Sequence, residues 1–289
     1  MREKYGIVHT DSPVMELTTM IGCPLMCTFC PQDNLRESYG KDTKYMQPMD
    51  LMTILAKLPK NTRIDFSGMS EPWANPECTQ MLEMVLYLGF KVAIYTTLYG
   101  MTDPERVKKA LESHPSQVEV VMLHLPDANK NMKGWKNSPE WMEALRIMAT
   151  LNVPCGVGAM TMDKSGLVAP ELQPIVGQLA GWMGHTRADS LDVEQIAGQP
   201  ISITPHNIFS LTCKSTPFYD RNVLLPNGDV VLCCMDYDLK HVIGNLLTQT
   251  YEEVMQGKPL LDLIAINETP EYSKCSICKA CENVREITV

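Results

Sequence analysis

VMELTTMIGCPLMCTFC, residues 14–30, joins an alternating apolar run to a loop that carries Cys23, Cys27 and Cys30. The run has the period of a strand, so the cysteines fall on the turn that follows it. Thiolates suit zinc and iron–sulfur clusters alike, and ligand count has to separate the two. Structural zinc takes four ligands, whereas this loop offers three cysteines and no histidine. A cubane held by three thiolates leaves one iron open, which makes a place for a substrate or cofactor. A zinc site or a noncatalytic iron–sulfur scaffold is the competing reading.

Working outward, short apolar runs alternate with amphipathic stretches as far as residue 197. The expected strands are 14–21, 62–68, 91–97, 117–125, 153–160 and 190–197. Strand-then-helix repetition of this kind predicts a parallel α/β sheet. Two helices are read between strands. One holds Trp141, Met142, Leu145, Met148 and Ala149 behind a Ser138-Pro139-Glu140 start, and the other holds Leu172, Ile175, Val176, Leu179, Ala180 and Met183. Six units are too few for a closed eight-stranded barrel, so the expectation is a partial (β/α)6 barrel over residues 1–197. Its ligand sites belong at the C-terminal ends of the strands. Residues 198–212 read as a linker, and residues 213–289 as a small extension. That extension opens with a hairpin around Pro226-Asn227-Gly228-Asp229, then a helix from Tyr251 to Ile266 and a cysteine-rich tail.

Composition narrows the class. The 289 residues are 45% hydrophobic and 20% charged, as in ordinary globular proteins. A net charge of −9 without a Lys/Arg-rich block argues against nucleic-acid binding. No segment approaches the ~18 uninterrupted apolar residues of a membrane span, and MREKYGIVHTDSP lacks a signal-peptide core, so a cytoplasmic location without membrane contact is expected. In such a compartment the 11 cysteines read as metal ligands or redox groups rather than disulfides. The 20 methionines read as flexible core fillers.

At Cys23, Cys27 and Cys30 the chain resembles the radical SAM superfamily, whose motif is Cys-x3-Cys-x2-Cys after the first barrel strand. Phe29 matches the aromatic that precedes the third cysteine there. The resemblance implies a 4Fe-4S cluster whose open iron binds S-adenosylmethionine, with one electron from the cluster cleaving it to a 5′-deoxyadenosyl radical. A flavodoxin- or ferredoxin-type reductant follows from that chemistry. SGMSEP, residues 67–72, resembles the Gly-x-Gly-Glu-Pro element that holds the methionine amino group, which implies a cofactor contact at Glu71. Ser70 departs from the usual glycine, and a simple helix start is the alternative. His124 at a strand end and Met160 in the fifth strand occupy positions where the family meets cofactor or substrate. A hydrogen-bonded strand-end histidine and a core methionine are the plain alternatives. Glu194 and Gln195 are substrate-side candidates.

Downstream, Cys213, Cys233, Cys234, Cys275, Cys278 and Cys281 with GDVVLCCMDYD resemble SPASM and Twitch extensions, which bind auxiliary clusters. Two fully ligated cubanes would need about eight thiolates, so these six imply one auxiliary 4Fe-4S cluster, the Twitch arrangement. The expected ligands are Cys213, Cys233, Cys278 and Cys281, with Cys234 able to replace Cys233 and Cys275 one of the last pair; a zinc site would use the same thiolates. The resemblance implies an oxidoreductase or epimerase. Peptide-modifying members often carry an N-terminal leader-binding domain, whereas the first strand here is read from about residue 14. A carbohydrate- or cyclitol-like small-molecule substrate is therefore favoured, with a ribosomally made peptide as the alternative. Hydrogen return by a thiol would draw on Cys155, Cys234 or Cys275.

Overall fold

The computed structural model describes residues 12–161, 166–176, 180, 181, 187, 211–213, 219–268, 276–281 and 284–286. Six parallel strands lie side by side in chain order: β1 (Val14–Leu17), β2 (Arg63–Phe66), β3 (Lys91–Thr96), β4 (Val118–Leu125), β5 (Gly158–Thr161) and β6 (Ala180–Gly181). The sheet is open, as the partial barrel requires. Helices α1 (Gln32–Tyr39), α2 (Pro48–Leu55), α3 (Cys78–Tyr87), α4 (Pro104–Ser113) and α5 (Pro139–Ala149) fill the crossovers.

Local chemistry sets the helix starts. α2, α4 and α5 begin on proline, whose missing N–H falls where no helical partner exists. Asp103 and Ser138 cap α4 and α5 by accepting the amides of Arg106 and Trp141 at 3.1 and 3.2 Å. Alternate strand residues face these helices: Leu17, Phe66, Ile94 and Leu123 pack in one buried core with Leu82, Val85, Val107 and Leu145. The pleat sends the intervening residues, Glu16, Asp65, Tyr95, Met122 and His124, to the opposite, inner face.

The C-terminal region continues this sheet. β8 (Arg221–Leu224) pairs parallel with the free side of β1, matching Val14 to Arg221 and Leu17 to Leu224. β9 (Asp229–Val231) and β10 (Val242–Asn245) then add antiparallel, giving the order β10-β9-β8-β1-β2-β3-β4-β5-β6. The β8–β9 turn is the expected one: Gly228 has φ +84°, and the Asn227 side chain accepts the Asp229 amide at 3.3 Å. β7 (Leu211–Cys213) pairs antiparallel with β11 (Val284–Glu286) in a separate two-stranded sheet.

Several expectations need correction. β5 begins at Gly158, because residues 154 and 155 form a turn. Residues 170–175 are turns rather than helix, and Ala180–Gly181 supplies the sixth strand. Pro174 explains the first point, since inside a helix it would remove a hydrogen bond and clash with the preceding turn. Residues 190–197 lie outside the described residues, as do Glu194 and Gln195. Of the expected linker, 198–210 lie outside them too, while Leu211 and Thr212 belong to β7. The single helix read from Tyr251 to Ile266 is two, α6 (Tyr251–Met255) and α7 (Lys258–Glu268), broken where Gly257 precedes Lys258-Pro259. Among the described residues no helix is long and apolar enough to cross a membrane.

Candidate metal centres

The cysteine loop leaves β1 through Gly22 at φ +87° and Met26 at φ +48°. Neighbouring segments hold it from two sides. On one side Thr28 bonds Asn131 twice, amide to carbonyl at 2.9 Å and hydroxyl to Oδ1 at 2.6 Å. Gly134 donates to the carbonyl of Leu25 at 2.6 Å. Phe29 is buried against Met132, beside Cys27, Cys30 and Trp135. On the other side Gln32 works as a three-way tie. Its Oε1 accepts the Cys23 amide at 3.1 Å, while its Nε2 donates to the Met69 carbonyl at 2.6 Å and to Cys30 Sγ at 3.2 Å.

SGMSEP meets the same loop. Gly68, at φ +65°, is obligatory, because a Cβ would stand 2.5 Å from Thr18 Oγ1 and 2.8 Å from the backbone of Leu17. Ser70 is not among the positive-φ residues, so the position where glycine is usual accepts a side chain without backbone strain. The amides of Leu25 and Glu71 hydrogen-bond Cys23 Sγ. Glu71 itself is buried, and four donors fill its two oxygens: the Trp73 amide at 3.2 Å and Thr96 hydroxyl at 2.6 Å on Oε1, the Thr97 amide and hydroxyl at 2.7 Å on Oε2. The carboxylate therefore braces the loop beneath Cys23 from the end of β3.

The donor set fits an iron–sulfur cluster. Burial pushes Cys23 up to about 12 and Cys27 well above the ordinary thiol range, and neighbouring sulfur charges add to both shifts. Buried thiols such as Cys23 and Cys27 become thiolates only when a metal supplies positive charge. Among the described residues no three His, Cys, Asp or Glu side chains converge on a single ion, whereas a cubane spreads its thiolates over separate irons. The hydroxyls of Ser67 and Ser70 are buried beside this site without a hydrogen-bond partner.

The inner face of the sheet is polar. Arg221 bonds Glu16 at 2.9 Å and Asp65 at 3.5 Å, and Arg63 bonds Asp65 at 2.6 Å. His124 and Met160 are register partners on β4 and β5. Burial and the nearby Arg187 charge lower His124 to about 4, so its ring is neutral at physiological pH. Arg187 stands within electrostatic reach of Tyr237, Cys234, Cys30 and Glu16 as well, which puts the end of the cysteine loop and the inner face in one space.

The second centre gathers at the far end of the chain. Burial raises the Cys233 thiol well above its ordinary range, and the charges of Cys234, Cys278 and Cys281 add to that shift. Ser276 caps the short turn carrying the last two by accepting the Cys278 amide at 3.2 Å. Asn267 donates to Cys278 Sγ at 3.5 Å. Cys213 comes close through its backbone, pairing with Val284 just past Cys281. Cys233 packs against the core that holds Cys281 and Cys278, whereas Cys234 packs against Ile21 and Tyr237 and hydrogen-bonds Glu16 on the inner face. Cys155 is exposed on the turn before β5, and Cys275 lies outside the described residues. Sequence reasoning missed Tyr237, whose hydroxyl is 3.1 Å from Cys30 Sγ, because the two are 207 residues apart.

Among solved structures the fold is similar to BtrN in complex with AdoMet and 2-DOIA, with 16% identity, 97% of each chain covered and a TM-score of 0.59. It is also similar to native anSMEcpe with bound AdoMet, with 15% identity, 93% of this chain and 88% of that chain covered and a TM-score of 0.53. At such identity the likeness is one of fold. No curated protein sequence matches the chain. The family model of the radical SAM superfamily matches residues 17–165, and that of the SPASM iron–sulfur cluster-binding domain matches residues 213–282. The chain thus belongs to the radical SAM superfamily and carries a SPASM domain, which implies S-adenosylmethionine, a 4Fe-4S cluster at the radical SAM site and auxiliary iron–sulfur clustering as its cofactors.

Proposed function

We propose that Cys23, Cys27 and Cys30 ligate the radical SAM cluster, and that Cys213, Cys233, Cys278 and Cys281 hold one auxiliary 4Fe-4S cluster. The protein then takes a hydrogen atom from a carbohydrate- or cyclitol-like small molecule and oxidises or epimerises it. One observation carries the choice of substrate class: the inner face presents two buried carboxylates, Glu16 and Asp65, and the half-buried guanidinium of Arg221, with a neutral His124. Such a surface suits a molecule rich in hydroxyl and amino groups. BtrN, a structural neighbour, is in complex with the small molecule 2-DOIA, and anSMEcpe, another, with the Cp18Cys peptide, so a peptide substrate is the second reading.

When bound, the cluster and S-adenosylmethionine supply a carbon radical able to abstract hydrogen from an unactivated carbon, chemistry that belongs to the cofactor. The chain supplies placement. Gln32 and Phe29 fix the cysteine loop, and Glu71 acts as a positioning residue that orients SGMSEP toward the cofactor. His124 and Met160 face cofactor or substrate from the ends of β4 and β5. For the oxidative outcome, an auxiliary cluster held by Cys213, Cys233, Cys278 and Cys281 would supply the acceptor for the one electron that, with the hydroxyl proton, must leave the substrate to make a carbonyl. In the epimerising outcome a thiol returns a hydrogen atom, with Cys234, which hydrogen-bonds Glu16, as the candidate, and one electron from the reductant with one solvent proton restores the thiol. A flavodoxin- or ferredoxin-type protein supplies the initial electron.

Anaerobic reconstitution followed by iron and sulfide assay and incubation with S-adenosylmethionine and a strong reductant tests the reading. Roughly eight irons per chain and release of 5′-deoxyadenosine support it. Zinc without iron, or iron without cleavage, would replace it with a scaffold.

A further inference from the structure

The tyrosine of the second region that touches the first cluster loop has no role in the reading above. Tyr237 lies in the segment just after Cys233 and is only 2% exposed. Its ring packs with Ile21, Leu35, Met69 and Val231, and the Arg187 guanidinium lies 5.7 Å from its centroid. Its hydroxyl is 3.1 Å from Cys30 Sγ. A thiolate on iron has no proton, so the phenol must be the donor.

The position of that hydroxyl is fixed from several directions. Asp236 accepts the amides of Lys240 at 2.9 Å and His241 at 2.7 Å, which closes the turn around Tyr237. Asn34, on the helix that follows the cysteine loop, donates to Asp238 at 2.7 Å. The Tyr237–Asp238 pair is thus clamped onto α1 from the residue beside it. Cys30 already receives Gln32 Nε2 at 3.2 Å from the first residue of α1. Tyr237 differs in belonging to the SPASM region.

We infer that the SPASM region sets the reduction potential of the cluster held by Cys23, Cys27 and Cys30, through the hydrogen bond that Tyr237 donates to Cys30. This rests on those cysteines being the cluster ligands. Adding an electron makes the sulfurs more negative, so a donor at sulfur stabilises the reduced state and raises the potential. Undocking the 233–239 segment removes the donor and makes the first cluster harder to reduce. Tyr237 is therefore a positioning residue whose effect is electrostatic.

The test is an EPR-monitored redox titration of reconstituted full-length protein, following the signal that changes on adding S-adenosylmethionine, which marks the first cluster. Tyr237→Phe keeps the ring and removes the donor. The expected result is about a tenfold smaller ratio of reduced to oxidised cluster at fixed potential, a midpoint shift of about 59 mV to more negative values. A ring-fluorinated tyrosine at position 237, a stronger donor with the same packing, should shift the midpoint the other way. Unchanged midpoints in both proteins, with the response to S-adenosylmethionine intact, would overturn the inference while leaving the ligand assignment standing. An unsubstituted protein with no cluster signal responsive to S-adenosylmethionine would overturn both.

Discussion

A Cβ built on Gly134 would stand 2.2 Å from the carbonyl oxygen of Pro24 and 2.8 Å from the Cα of Leu25. The loop after β4 therefore presses backbone to backbone against the loop of Cys23, Cys27 and Cys30. Only a residue without a side chain allows that approach. Gly134→Ala should force the two loops apart, lowering stability by roughly 1–3 kcal/mol and reducing iron retention at the first site. Iron content beside a thermal melt checks this, and native values for both would show that the contact does not hold the loop.

Glu71→Gln keeps shape but replaces one acceptor oxygen by a donor that would face either Thr97 or the Trp73–Thr96 pair. With four donors converging on the native carboxylate, the substitution should cost roughly 2 kcal/mol and weaken binding of S-adenosylmethionine. Denaturant unfolding and equilibrium binding measure the two effects. Weaker binding at undiminished stability would instead make Glu71 a direct contact.

His124 predicts a pH dependence. Its folded pKa, about 4, lies below the ordinary 6.5, so the unfolded chain binds the proton more readily. Its contribution is complete above pH 6.5 and fades as pH falls toward 4, by at most roughly 3 kcal/mol. His124→Gln should flatten that part of the stability profile, as urea midpoints between pH 7 and 4 would reveal.

Cys233→Ala should strip the auxiliary cluster, about four irons per chain, because its sulfur faces Cys278 and Cys281. Cys234→Ala should keep that iron. If the protein epimerises, the second variant should still release 5′-deoxyadenosine but fail to incorporate solvent deuterium into product. Equal iron loss in both variants would contradict the separate packing of the two thiols.

What could be read from the chain was local. Cys23, Cys27 and Cys30 lie within one loop, and the start of α5 is written in Ser138-Pro139, so spacing and capping chemistry sufficed. The failures have particular causes. The three/four spacing from Leu172 to Met183 passes over Pro174, and proline outweighs periodicity. The continuous pattern from Tyr251 to Ile266 hid the break at Gly257. Nothing in either segment says that Arg221–Leu224 lies beside Val14–Leu17, or that Tyr237 reaches Cys30. Both depend on the packed sheet. Cys233 and Cys234 were equivalent as letters, and only the packing of the turn after β9 sets one beside Cys278 and the other beside Tyr237.

The place of Arg221–Leu224 bears on how this molecule is made. During synthesis Val14–Leu17 leaves the ribosome some two hundred residues before the strand that covers its other side, so one row of its amides and carbonyls waits unpaired. A product ended at residue 197 would keep that raw margin and tend to stick to its own kind. Cutting the molecule at the apparent join between its two regions therefore should not release a well-behaved barrel.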